Sequence, residues 1–177
     1  MGGAIALMVS KELETAETKA LGGVVMLAPM LQMDVSMPTR YLLRGLAKLC
    51  PSIHAIPSSS SDDSLQYRDP IKMKEAAEDK LSIGGNVCFG SASALVELCY
   101  ILKESYETFR CPMLVLIADE DYVVDSVASK ALATLFPSSD KTIKHYKALH
   151  GLLCEPQPLL GEIENDVVNW ISSRVQV

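Results

Sequence analysis

The chain has little positive charge, few aromatic residues and no paired cysteines. Its 177 residues include 16 lysines and arginines against 22 aspartates and glutamates, which gives a net charge of −6 and an isoelectric point near 5.1. A nucleic-acid partner would need a basic face on the protein, and this charge balance argues against one. The five cysteines form no Cys-x-x-Cys pair and no cysteine–histidine ligand motif. We therefore expect neither a disulfide scaffold nor a structural zinc site, and we expect a reducing compartment.

Long apolar runs are absent as well. The uncharged segment 20–33 has only 14 residues and is interrupted by Gly22, Gly23 and Pro29, whereas a membrane-spanning helix needs about 20 apolar residues. Apolar residues nevertheless make up 49% of the chain, and the mean hydropathy is +0.19. Such a chain can bury a sizeable core, which excludes global disorder. The length predicts one domain, or one domain with a small insertion.

Three apolar runs alternate with helical patterns along the chain. The runs span 23–29, 111–118 and 141–146, and the first two are apolar throughout, as strands buried on both faces are. Apolar residues recur at helical spacing in four other segments, which are 4–13, 91–109, 125–136 and 159–175. Strands that alternate with helices predict a parallel sheet with right-handed crossovers, and hence an α/β fold.

The middle of the chain interrupts this alternation. It opens with a methionine-rich stretch and continues into a serine run, 58–61, which we interpret as a solvated surface loop. A short charged helix is predicted over 71–80. The segment has the character of an insertion that lies on the sheet. It contains His54, for which we expect a surface or packing role.

Four carboxylates follow the second predicted strand within seven residues. They are Asp119, Glu120, Asp121 and Asp125, and they lie at the end of a strand where open α/β sheets collect functional groups. His150 follows the third predicted strand. A carboxylate and a histidine on such loops can meet at hydrogen-bond distance, where the carboxylate orients the imidazole. From spacing alone, a solvated acidic loop beside an ordinary histidine explains the pattern equally well.

The first residues have the pattern of half a nucleophile elbow. In the motif Gly-x-Ser-x-Gly, small residues follow the serine because the next helix packs closely on the strand, and the chain opens with Met1-Gly2-Gly3-Ala4. The order of acid and then histidine is also that of α/β-hydrolases. The chain resembles the C-terminal portion of an α/β-hydrolase of the monoglyceride lipase group, also called the serine aminopeptidase S33 or hydrolase-4 group. The resemblance covers nearly the whole chain, through the runs 1–7, 25–30, 69–70, 87–90, 111–125 and 140–150.

This resemblance implies roles for particular residues. Asp121 corresponds to the triad aspartate and His150 to the triad histidine, while Met1, as the residue after the serine, would donate its backbone N–H to the oxyanion. The nucleophilic serine itself would stand directly before Met1, so we expect a truncated chain that is inactive alone. His145 lies where the group more often has an apolar strand residue, and we expect it to be structural. No metal or other cofactor is implied.

The resemblance also divides the chain into three segments and implies a substrate. The segments are an elbow helix and first core strand over 1–30, a mainly helical cap over 31–90, and a C-terminal core over 91–177 that carries the acid and the histidine. The implied reaction is hydrolysis of monoacylglycerol or a related lipid ester through an acyl-enzyme. We expect a cytoplasmic protein that can contact a membrane peripherally through its cap.

Two other kinds of function stay open at this point. One is a non-catalytic binding remnant, and the other is a different specificity on the same fold, for lysophospholipids, small esters or peptides. A substitute nucleophile among Cys88, Cys99, Cys111 and Cys154 is not expected. Cysteine is most often a small buried residue, and none of these four follows an elbow-like pattern.

Overall fold

A parallel sheet of three strands, in the order β1-β4-β5, lies at the centre of the molecule. The structure is a computed structural model that describes residues 1–15, 21–81 and 84–175. The strands are β1 (Val24–Leu27), β2 (His54–Ile56), β3 (Val87–Cys88), β4 (Met113–Ala118) and β5 (Lys141–Tyr146). The α-helices are α1 (Gly2–Thr15), α2 (Met37–Leu49), α3 (Asp63–Gln66), α4 (Pro70–Glu78), α5 (Phe89–Glu104), α6 (Ser126–Leu135) and α7 (Leu159–Ser172). Short 3-10 helices span Ser59–Ser61, Tyr106–Thr108 and Leu152–Cys154.

The central strand β4 is apolar throughout because both of its faces are covered. Its register aligns Val115 with Met26 of β1 and with Ile143 of β5. Alternate side chains of β4 enter two different apolar clusters, one formed with α1, α5 and α6 and the other with α7. Helices on both faces of a parallel sheet are the layer arrangement of α/β proteins, so the predicted fold class is confirmed.

The middle segment packs on α5 through a third apolar cluster. Leu43 of α2 contacts Ala92 and Val96 of α5 in this cluster, and α2 begins with Ser36 as its N-cap, whose side-chain oxygen accepts the backbone N–H of Thr39. Within the segment, β2 and β3 form a small antiparallel pair. Strands of two and three residues are too short to show a periodic pattern, so they were not predicted among the helices of this region.

The predicted division into 1–30, 31–90 and 91–177 stays a prediction. Residues 16–20, 82–83 and 176–177 belong to those three segments but lie outside the described residues. In the described part of the chain, no helix has the length and apolarity that crossing a membrane requires.

Candidate active site

The loops that follow β4 and β5 are joined to each other by backbone hydrogen bonds. The N–H of Asp119 donates to the carbonyl oxygen of Tyr146 at 2.9 Å, and the N–H of Glu120 donates to that of Ala148 at 3.1 Å. Because the two strands are parallel neighbours, both loops leave the sheet at the same edge. The chain path therefore brings the residues after Glu120 next to those after Ala148.

Asp121 and His150 meet at this junction. The Nδ1 atom of His150 lies 2.8 Å from Oδ2 of Asp121, whose side chain is 0% exposed. The other carboxylate oxygen, Oδ1, accepts the backbone N–H groups of Val123 at 2.8 Å and Val124 at 3.0 Å. Three donors thus hydrogen-bond to the buried Asp121 carboxylate, and a charge can be buried only when it is hydrogen-bonded in this way.

The contact with Asp121 selects the tautomer of His150. An ionised carboxylate can only accept hydrogen bonds, so Nδ1 carries the proton and donates it. This leaves Nε2 as the basic nitrogen of the ring. The His150 side chain is 25% exposed and lines a cavity, so the ring remains accessible from that side. A histidine held in this way can take a proton and return it.

The three other carboxylates of the acidic loop have different partners. Asp119 contacts His145 of β5 at 2.8 Å, in a pair whose side chains are 51% and 33% exposed. Asp125 is the N-cap of α6, where its Oδ1 accepts the N–H of Ala128 at 2.8 Å. Glu120 binds Arg68, and this ion pair lowers the pKa of the Glu120 carboxyl. Each competitor for the acid role is therefore engaged away from His150.

A cavity of about 520 Å³ lies beside His150. Met1 lines it together with His150, so the start of α1 and the histidine loop face the same space. A second cavity of about 340 Å³ lies next to it. The two share four lining residues, which are Met33, Ser58, Val87 and Leu95. The lining of both is mainly apolar, as in sites for apolar ligands.

Hydroxyl and thiol groups lie near the cavity, and each could in principle act as a nucleophile. Ser58, Ser60 and Ser91 line the larger cavity, so part of the serine run borders the site rather than forming a fully solvated loop. Burial is the main effect that raises the pKa values of the Cys99, Cys111 and Cys154 thiols. A hydrogen bond to Ser91 lowers the pKa of the Cys88 thiol, but among the described residues Cys88 does not line the larger cavity. His54 is exposed in β2.

Comparison with known protein families identifies the chain. The profile of the family "Serine aminopeptidase, S33" matches residues 1–157. The chain belongs to the serine aminopeptidase S33 family. This result confirms the resemblance seen in the sequence, since the match extends from the first residues through the histidine loop. A search of curated proteins gave no significant match to this S33 family member.

Solved structures show that this S33 family member has an α/β-hydrolase fold. It is similar to a soluble variant of monoglyceride lipase from Saccharomyces cerevisiae in complex with a substrate analog, with a TM-score of 0.78, 18% identity and coverage of 98% of this chain and 62% of that one. The monoacylglycerol lipase of Paleococcus ferrophilus gives a TM-score of 0.78 and 23% identity, over 96% of this chain and 65% of that one. For a highly thermostable carboxyl esterase from Bacillus coagulans in complex with glycerol, the TM-score is 0.68 and the identity 14%, over 94% and 61%. The chain thus spans 61–65% of the length of these three proteins.

The histidine loop of this S33 family member is anchored by residues that the sequence patterns did not indicate. The backbone N–H of Leu149 donates to Oε1 of Glu155 at 2.6 Å, and that of Gly151 donates to the carbonyl oxygen of Gln66 at 2.9 Å. Oε2 of Glu155 accepts from Arg68 at 2.9 Å. Arg68 and Glu155 are 87 positions apart, so no local pattern could reveal their contact.

Within the ranges that the structure describes, no group of three or more histidine, cysteine, aspartate and glutamate side chains is placed to hold a metal ion.

Proposed function

We propose that the full-length protein hydrolyses carboxylic esters through an acyl-enzyme. The observation that carries the proposal is the 2.8 Å hydrogen bond between His150 and the buried Asp121 at the wall of a mainly apolar cavity. A histidine oriented by a buried carboxylate is the proton-transfer pair of serine hydrolases. Membership of the serine aminopeptidase S33 family supports the same class of chemistry.

The proposed reaction has two similar halves. A serine hydroxyl attacks the ester carbonyl carbon while Nε2 of His150 takes the hydroxyl proton. The tetrahedral intermediate then collapses, the bond to the alcohol oxygen breaks, and His150 returns the proton to the departing alcohol. Water attacks the acyl-serine by the same route, which releases the carboxylic acid and regenerates the serine. Asp121 orients His150 and stabilises its protonated form throughout.

We assign the nucleophile to a serine directly before Met1, and the oxyanion donor to the backbone N–H of Met1. In support, Met1 and His150 line the same cavity. It follows from this assignment that the 177 residues alone are inactive.

The proposed substrates are monoacylglycerols or related lipid esters. The two adjoining cavities offer mainly apolar surface suited to an acyl chain. Two of the similar solved structures are those of a monoglyceride lipase and a monoacylglycerol lipase. We further propose that the cap, 31–90, makes peripheral contact with lipid surfaces. The exposed apolar side chains Met37, Tyr41 and Leu42 on α2 support this contact.

Two histidine variants test the proposal in the full-length protein. His150→Ala is expected to lower kcat for an ester by at least about 10⁴-fold, because the proton-transfer group is lost. His145→Ala is the matched control, since it removes the other histidine that contacts an aspartate at 2.8 Å, and it should leave kcat within about twofold. Hydrolysis is measured on p-nitrophenyl esters of increasing chain length, monoacylglycerols, lysophospholipids and peptide amides. Equal activity of the two variants would contradict the assignment of His150.

A labelling experiment tests the assignment of the nucleophile. A fluorophosphonate probe should label the full-length protein at the serine before Met1 and should leave the 177-residue chain unlabelled. The labelled residue is identified by mass spectrometry of peptides. Labelling of the 177-residue chain at Ser58, Ser60 or Ser91, which line the cavity, or at any cysteine would overturn the assignment.

A further inference from the structure

Arg68 connects the loop of Asp121 to the loop of His150. Its Nη2 atom donates to Oε2 of Glu120 at 2.7 Å, and its Nε atom donates to Oε2 of Glu155 at 2.9 Å. Glu120 directly precedes Asp121 in the chain. The three side chains of Arg68, Glu120 and Glu155 are called the Arg68 clamp below.

Among the described residues, Arg68 is the only cation that pairs with the carboxylate of Glu155. Its side chain is 1% exposed, and a buried carboxylate is costly unless it is paired and hydrogen-bonded. Arg68 supplies the cation, while the second oxygen of Glu155 holds the N–H of Leu149 at 2.6 Å. Leu149 directly precedes His150, so a displacement of the Glu155 carboxylate would also displace the backbone beside the His150 imidazole.

The other arm of the clamp acts on the acidic loop. The hydrogen bond from Arg68 is the largest effect that lowers the pKa of the Glu120 carboxyl, so Glu120 is ionised at neutral pH. Only an arginine can hold both carboxylates in one planar group, because a lysine is a single point charge. The segment that carries Arg68 also binds the histidine loop directly, since the carbonyl oxygen of Gln66 accepts the N–H of Gly151 at 2.9 Å.

We propose that Arg68 is a positioning residue for the reaction, which keeps the Asp121–His150 pair in its productive geometry by holding Glu120 and Glu155. This inference rests on the proposed ester hydrolysis. A plain surface ion pair contributes little to stability. The buried Glu155 and its bond to the Leu149 amide distinguish the Arg68 clamp from such a pair.

Substitutions in the full-length protein test the positioning role. Arg68→Ala is expected to lower kcat for an ester roughly 10- to 100-fold, because small displacements of reacting groups have effects of that size, and to change KM less than about threefold. Arg68→Lys should recover part of kcat by neutralising Glu155, and added guanidinium ion at low millimolar concentration should restore part of the kcat of Arg68→Ala. The matched control is Arg174→Ala, which also removes an arginine–carboxylate pair, with Asp140; Arg174 lies just after the C-terminal end of α7. It should leave kcat within about twofold.

Several outcomes decide between the positioning role and a structural one. An unchanged kcat in Arg68→Ala, or a loss of kcat that matches that of Arg174→Ala and resists guanidinium, would overturn the proposal. If Arg68→Ala does not fold, Arg68→Lys and Glu120→Gln take its place, and normal kcat in both would overturn it.

Hydrogen exchange separates this proposal from the proposed function. If the unsubstituted full-length protein hydrolyses no ester, the proposed function fails on its own. The Arg68 clamp is then tested by amide exchange at Leu149 and Gly151, which Arg68→Ala should accelerate at least tenfold relative to Arg174→Ala. Unchanged exchange at both amides would overturn the clamp as well.

Discussion

Replacement of Asp121 by asparagine tests the role of the carboxylate, because it exchanges one side-chain oxygen for an NH₂ group and changes little else. In the native side chain Oδ1 accepts two backbone N–H groups and Oδ2 accepts the Nδ1 proton of His150. Asparagine has one oxygen and one NH₂ group, so it can accept on one side only. If the asparagine oxygen stays on the Val123 and Val124 N–H groups, only the hydrogen bond from His150 is lost. If the side-chain amide is flipped, both backbone hydrogen bonds are lost. The NH₂ group will therefore face His150.

This arrangement reverses the tautomer of His150. Facing an NH₂ donor, Nδ1 must become the acceptor, and the proton moves to Nε2, which can no longer act as a base. The expected loss in kcat is about 10⁴-fold, equivalent to about 5.5 kcal/mol of activation free energy. The free energy of unfolding should fall by about 1–3 kcal/mol, since hydrogen bonds to a buried charge become neutral ones.

Kinetics and NMR spectroscopy measure the two effects separately. Ester hydrolysis by the full-length Asp121→Asn variant gives kcat and KM, and ¹⁵N spectra report the tautomer of His150. Asp119→Asn is the control, because this exposed carboxylate contacts His145 at the same distance, 2.8 Å. A kcat within tenfold of the native value in Asp121→Asn, or a His150 ring still protonated at Nδ1, would refute the reasoning.

Two further predictions concern the histidine loop and the sheet. Gly151→Ala would place a Cβ atom 2.8 Å from the ring of Tyr67, so we expect a lower kcat in the full-length protein. A Gly151→Ala variant with normal kinetics would contradict the loop geometry. The control is Gly45→Ala in α2, whose new Cβ atom would meet nothing within 4 Å, and this variant should raise the free energy of unfolding by about 0.5–1 kcal/mol. The hydrogen bond from Lys144 is the main effect that lowers the pKa of Asp166. The ionised carboxylate therefore stabilises the fold at a pH above its unfolded-state pKa, and this contribution is lost as the pH falls below about 4. Asp166→Asn should therefore lower stability at pH 7 and flatten its decline in acid, as urea titrations at several pH values would detect.

The strands and helices of the core could be predicted because their patterns are local. The run 111–118 is apolar without interruption, and β4 is indeed covered on both faces, with bounds Met113–Ala118. The four helical patterns correspond to α1, α5, α6 and α7. The pair β2–β3 could not be predicted, because strands of two and three residues carry no period.

The residue pattern by itself could not select the partner of His150. Four carboxylates within seven residues are chemically alike, and the resemblance to a family singled out Asp121 without giving its surroundings. The tertiary structure brings Asp121 to His150, Asp119 to His145 and Glu120 to Arg68. These pairings follow from the parallel register of β4 and β5 and from hydrogen bonds between their loops.

The sequence alone therefore determined the α/β class, the positions of the core strands and helices, and membership of a family, because each depends on side-chain period or on motifs of a few residues. The tertiary structure showed which carboxylate contacts the imidazole, where the residue pattern had left four, and it alone showed how Arg68 joins the two loops. The physical reason is that both depend on contacts between residues far apart in the chain, 29 positions for Asp121 and His150 and 87 for Arg68 and Glu155.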